Sequence, residues 1–367
     1  MHNSIIISLL LSVILTFPAR AENSARRLLY VASPGIRNYL EFGGHGILVY
    51  DMDNHHQFLR RIPIGGLDEQ GKPLNVKGIC ANAKSERIYL STLRHLICLD
   101  LTTDEMLWEK QYEGGCDRMS ISPNGSFIYL PTLERNHWKV VRGSDGAEIT
   151  RISPHSGAHN TIVGLDGKRA YLAGLRSPLL TVADCSSHKV LKTVGPFSNS
   201  IRPFTINGSQ TQCFVNVNDL LGFEIGDLQT GKMLHRVEVK GFSTGPIKRH
   251  GCPSHGVGMT PDEKQIWLSD GANSQIHVFD ATQMPPVQID SIPVRDQPGW
   301  VTFSIHGDLA YPSTGEVIDV ESRKIIAKLS DEKGRVVQSE KMLEIDMLDG
   351  HPVAVGDQFG LGRHRSP

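Results

Sequence analysis

The sequence is poor in the features that assign a chemistry outright. Only six cysteines occur in 367 residues, at positions 80, 98, 116, 185, 213 and 252, with no C-x-x-C or C-x-x-C-H among them. That argues against a disulfide-stapled scaffold and against c-type haem attachment. The thiols read as small buried hydrophobes; a Cys116–Cys252 bridge across one end of the molecule is the alternative. Neither sign of charge is in excess: 38 Lys and Arg face 39 Asp and Glu, a net −1. A nucleic-acid backbone partner would require a basic surplus. Beyond the first twenty residues no apolar run approaches the roughly 20 residues a membrane span needs. The chain has no G-x-x-x-x-G-K-[ST] or G-x-G-x-x-G, no H-x-H or H-E-x-x-H, and no serine with a triad partner visible in the sequence. No serine nucleophile, phosphate loop, metal set or cofactor is therefore assigned.

What is present is repetition. Residues 252–281 read CPSHGVGMTPDEKQIWLSDGANSQIHVFDA. A short apolar run and a tight turn are followed by two runs that alternate polar and apolar residues, the pattern of an antiparallel meander. The unit recurs around Pro123-Asn124-Gly125, Leu165-Asp166-Gly167, Ile206-Asn207-Gly208 and Ile305-His306-Gly307. An aromatic column, Tyr89, Tyr129, Tyr171, Phe214, Trp267 and Tyr311, steps by 40, 42, 43, 53 and 44 residues. Four-stranded propeller blades repeat every 40–45 residues or so. Third strands close on aspartate at Asp51, Asp100, Asp280 and Asp319.

These copies resemble YVTN-type repeats of YncE-like proteins and the quinoprotein amine dehydrogenase β-chain superfamily. The resemblance implies an all-β, seven-bladed β-propeller. Residues 22–367 are expected to form that one domain. Blades begin near Lys77, Asp117, His159, Arg202, His255 and Gly299. A seventh, begun by residues 28–64, is completed by an inner strand from 341–346, a closure that removes exposed sheet edges. Residues 353–363 fit either a further edge strand or a loose tail. Met1–Ala21, with an apolar Ile5–Phe17 core and an A-x-A ending, reads as a cleaved signal peptide. The expected location is periplasmic or secreted, with no integral membrane segment after cleavage.

The repeat register also locates a candidate site. The first residues of the inner strands crowd one mouth of the channel, and there the sequence puts Asp117, Arg118, His159, Asn160, Arg202, His255, Trp300 and Glu340. Connections on that face are long and polar, whereas the opposite face has clipped turns whose Asp and Asn serve turn geometry. Trp300 is expected as a stacking platform or lid, or equally as plain core, the arginines as anion ligands or as internal ion pairs, and Asp270 as a turn former. The pattern points to binding of a small polar ligand or a protein partner. Two other readings stand beside it: a hydrolase or lactonase-like enzyme using His and Arg at the mouth, and, from the superfamily resemblance alone, an accessory subunit of a periplasmic redox complex.

Overall fold

The computed structural model describes residues 25–364; the expected signal peptide, 1–21, lies outside the described residues. Among these run 29 strands and one 3₁₀ turn, Leu40–Phe42. The strands make seven antiparallel sheets, six of four strands and one of five, and the architecture is a seven-bladed β-propeller. Blade 1 combines Ala25–Ser33, Gly46–Asp51 and Gln57–Ile62 with Met342–Leu348 and His351–Val355. Blades 2 to 7 occupy residues 76–111, 120–152, 158–194, 201–238, 254–293 and 301–328. No helix among the described residues is long and apolar enough to cross a membrane.

Second strands such as Arg87–Thr92 are buried almost throughout, while outer strands such as Met106–Gln111 are largely exposed. Second strands lie between neighbouring blades and need apolar residues on both faces. The aromatic column lies there, each member at most 1% exposed, and Tyr30 holds the same place in blade 1. The hydroxyls of Tyr89, Tyr129, Tyr171 and Tyr311 reach across to the next blade. Tyr89 donates to the Gly143 carbonyl at 3.0 Å and Tyr171 to Gln210 at 3.1 Å, while the Tyr129 hydroxyl meets the His188 ring at 3.0 Å. A buried phenol without such a partner would cost stability. The strand-ending aspartates have a local cause: Asp100 accepts the backbone N–H groups of Thr102 and Thr103, and Asp227 those of Gln229 and Thr230. These are Asx turns. In the clipped turns Gly125 takes φ +75°, a conformation costly for residues with a Cβ.

Closure is made by the expected C-terminal segment, with seven residue pairs from Ala25↔Leu348 to Val31↔Met342. The tail is ordered rather than loose. His351–Val355 pairs with the inner edge of Met342–Leu348, and the chain then crosses the axial channel. Gln358 accepts from the Ile79 N–H, donates to the Met119 carbonyl, and offers its own carbonyl to the Trp300 indole. Phe359 and Leu361 pack among the inner residues of blades 4 and 5, Ile162, Ile201 and Phe204. The Gly360 carbonyl accepts from Met259 N–H and the Thr205 hydroxyl. All six cysteines are free thiols, so the Cys116–Cys252 bridge is not made.

The seam between blades 7 and 1 carries a pH prediction. His56 is buried, and its ring contacts the Tyr311 hydroxyl at 3.0 Å. Burial, then Arg27, outweigh Asp308, Asp51 and Asp53 and hold its pKa down at about 4. The folded value lies below the unfolded one of roughly 6.5, so this contribution is complete above that pH and is lost as pH falls towards 4. The loss is on the order of 3 kcal/mol. Urea midpoints measured from pH 7 to 4 should fall more steeply for the wild type than for His56→Asn. Asparagine suits the φ of +57° at this position. Parallel slopes would refute the assignment.

Candidate functional site

Four inner strands present a polar side chain from their second residue: Lys77 in Val76–Asn82, His159 in Ala158–Val163, Arg202 in Ile201–Ile206 and His255 in Ser254–Met259. In each case the pairing register shifts at that point, between Val76 and Gly78, Ala158 and Asn160, Ile201 and Phe204, and Ser254 and Val257. A β-bulge breaks the strict alternation of a ladder and re-aims one side chain. Blade 3 goes further: its inner strand is reduced to Ser120–Ile121, and Arg118 ahead of it bridges to Asn160 in the neighbouring blade. Glu340 and Lys341 arrive just before the closing strand, and Arg37, Arg249 and His250 come from two of the long links.

Together these residues surround a cavity of about 210 Å³. Six cationic residues line it (Arg37, Lys77, Arg118, Arg202, Arg249 and Lys341) against two acidic ones, Glu134 and Glu340, with His159, His250 and His255 between them. Its inner wall is an ion-pair network. Arg118 bonds Glu340, whose Oε2 also receives Lys341 Nζ at 2.7 Å, and Glu340 Oε1 lies 3.1 Å from His250 Nδ1. His159 Nδ1 donates to Asp117 Oδ2 at 2.6 Å, and Arg118 donates to His159 Nε2 at 3.2 Å. An arginine only donates, so His159 is the neutral Nδ1–H tautomer. Burial depresses its pKa in the same sense.

Burial pushes the Asp117 carboxyl up, yet His159, Lys77 and Arg118 outweigh it and hold the pKa at about 2. Glu340 stays well below the usual carboxylate range, because Lys341 and Arg118 overcome its desolvation. Burial, and then Arg118, push Lys341 down to about 7. His255 is held far below its ordinary value by burial and by His250 beside it.

Of the residues the sequence singles out, Arg118, His159, Arg202, His255 and Glu340 reach the cavity wall. Three do not. Asp117 is fully buried behind His159, and Asn160 is fully buried with no partner for either carboxamide atom among the described residues. Trp300 is 2% exposed and is neither lid nor ligand platform: its ring lies 4.4 Å from the Arg118 guanidinium and packs on Phe359 of the tail. Stacked on the plug, it has its indole N–H committed to Gln358. Asp270 is a turn former, accepting from Ala272 and Asn273, and also holds buried His277 at 3.1 Å. Lys77, Lys341 and His250 were missed as site residues. Repeat register alone brings the two lysines to the mouth, but nothing in the sequence shows how the 241–254 link folds inward.

Fold and site together define a seven-bladed β-propeller whose channel is stopped by its own C-terminal tail, leaving a cationic cup at one mouth. No family model matches the chain, and no curated protein matches it. Among solved structures it is similar to Kuenenia stuttgartiensis hydrazine synthase, with a TM-score of 0.46 at 12% identity over 68% of this chain and 94% of that one.

Proposed function

We propose that this protein is a YVTN-type propeller, acting in the periplasm or after secretion, that binds a compact organic oxyanion bearing carboxylate or phosphoryl groups in the cup. The observation that carries this reading is the ratio of six cationic to two acidic residues around one small polar cavity. Two buried donors in that wall, Arg118 Nε and Arg249 Nη1, have no partner among the described residues. Buried donors are almost always satisfied, and guanidinium forks match carboxylate and phosphate oxygens. At about 210 Å³ the space is smaller than the ~300–1,000 Å³ of drug-sized sites, which favours a compact ligand over a protein segment. The repeat units support the family placement, and the Met1–Ala21 segment supports export.

A thermal-shift panel of small carboxylates, phosphate esters and neutral analogues tests the reading. Anions should raise the melting temperature, and salt should weaken the effect. Arg202→Ala, which removes a half-buried side chain held by Asn218 and the Gly251 carbonyl, should weaken binding by roughly 10- to 100-fold, the worth of one charged hydrogen bond. No response to any anion, or equal responses in wild type and variant, would refute it.

A further inference from the structure

We infer that the cup also holds a divalent transition-metal ion, of the Zn²⁺ class, ligated by His250 Nδ1, His255 Nε2 and Glu340 Oε1. The three residues offer ligand atoms that all lie within 4.8 Å of one another. They come from a link of blade 6, from its inner strand and from the run into the closing strand, so no sequence spacing announces them.

Hydrogen-bond logic carries the inference. His250 Nε2 lies 3.2 Å from the Gln297 carbonyl, and His255 Nδ1 lies 2.9 Å from the Gly299 carbonyl. A carbonyl only accepts, so those nitrogens carry the ring protons. In the neutral rings this leaves a lone pair on His250 Nδ1 and on His255 Nε2. The first of these lies 3.1 Å from Glu340 Oε1, which puts two acceptors in contact. A cation between them removes the conflict and gathers the second imidazole. Imidazoles that ligate metals usually donate their other N–H to a carbonyl or carboxylate, and both rings do so here. Arg118 and Lys341 fasten Glu340 by its other oxygen, leaving Oε1 directed at His250.

The His250 ring is seated by the absence of a side chain at Gly299, where a Cβ would come within 2.3 Å of it. Two nitrogens and one carboxylate oxygen suit Zn²⁺, and three protein ligands leave a fourth position for water or a ligand in the cup. Ligand atoms around such an ion are about 3.3 Å apart, so binding would draw the three side chains together. The metal site does not rest on the anion reading, which depends on the arginines and Lys77.

Untagged, chelator-treated protein should be titrated with Zn²⁺ by calorimetry, and with Co²⁺ by visible absorption, in buffer without organic anions. One equivalent per chain is expected, with the strong absorption of four-coordinate Co²⁺. His250→Ala should abolish uptake at micromolar metal. Gly299→Ala removes no ligand but displaces the His250 ring, and should weaken binding about 10- to 100-fold, as changes behind metal ligands do. With no organic anion in the titration, loss of the anion reading would leave this one standing. Absence of stoichiometric uptake would overturn the inference and would mean that a proton bridges His250 and Glu340. Unaltered uptake in His250→Ala would overturn it equally, by placing the ion elsewhere.

Discussion

A chain ending at Ser339 is expected to be insoluble or to unfold without a cooperative transition. Its first strand would lose all seven pairs it makes with Met342–Leu348. Blade 1 would lose its inner strand and present a long hydrophobic edge, the template for edge-to-edge aggregation. Leu343 and Ile345, fully buried beside Ile79 and Leu90 of blade 2, would also be missing from the core. A chain ending at Leu348 separates closure from the tail. It keeps the seven pairs and loses only the inner-edge strand and the segment crossing the channel. Removing Phe359 and Leu361 from the core should then cost several kcal/mol, about 2–5 per large side chain in comparable truncations. The shorter product should stay folded and melt early. Equilibrium unfolding and light scattering of both chains decide the matter, and a soluble, cooperatively folding product ending at Ser339 would disprove closure.

The second large effect is expected at Arg118. Its guanidinium is 3% exposed and serves Glu340, the His159 ring and the face of Trp300. Truncation to alanine leaves a buried carboxylate with one neutralising partner fewer, a loss of about 3–5 kcal/mol. Arg202 has no carboxylate partner among the described residues and sits half-buried, so Arg202→Ala should cost only about 1 kcal/mol. Denaturant melts of the two variants should therefore differ clearly in midpoint. Arg118→Met combined with Glu340→Gln should recover part of the loss, because the charge left stranded by the first change is removed by the second. Equal midpoints for the two single variants would show that the mouth is a wet rim rather than an internal lattice.

The contrast between these two arginines marks how far the sequence could be read. Blade number, aromatic column and the segment that closes the ring all follow from period-two alternation and fixed turns, because these are local patterns repeated at a steady interval. The same register brought Arg118, Arg202 and Glu340 to one mouth. It could not tell which would be sealed and which would face solvent. That depends on the tail and on the 241–254 link, neither of which belongs to the repeat. Trp300 shows the consequence: its place in the register marks it as a mouth residue, but Phe359 and Gln358 draw it into the packed interior. His250 shows the converse, since a link of no evident pattern delivers it to Glu340.

The tail that crosses the axis makes the molecule a vessel and not a tube. With Gln358 tied to blades 2, 3 and 7, and Gly360 to blades 5 and 6, whatever occupies the cup enters and leaves by the same door. Arrival and departure are then both governed by the 33–46 and 241–254 links that frame that door. A change in either link that spares Arg37, Arg249 and His250 should alter the two rates together while leaving their ratio, the affinity, nearly as it was.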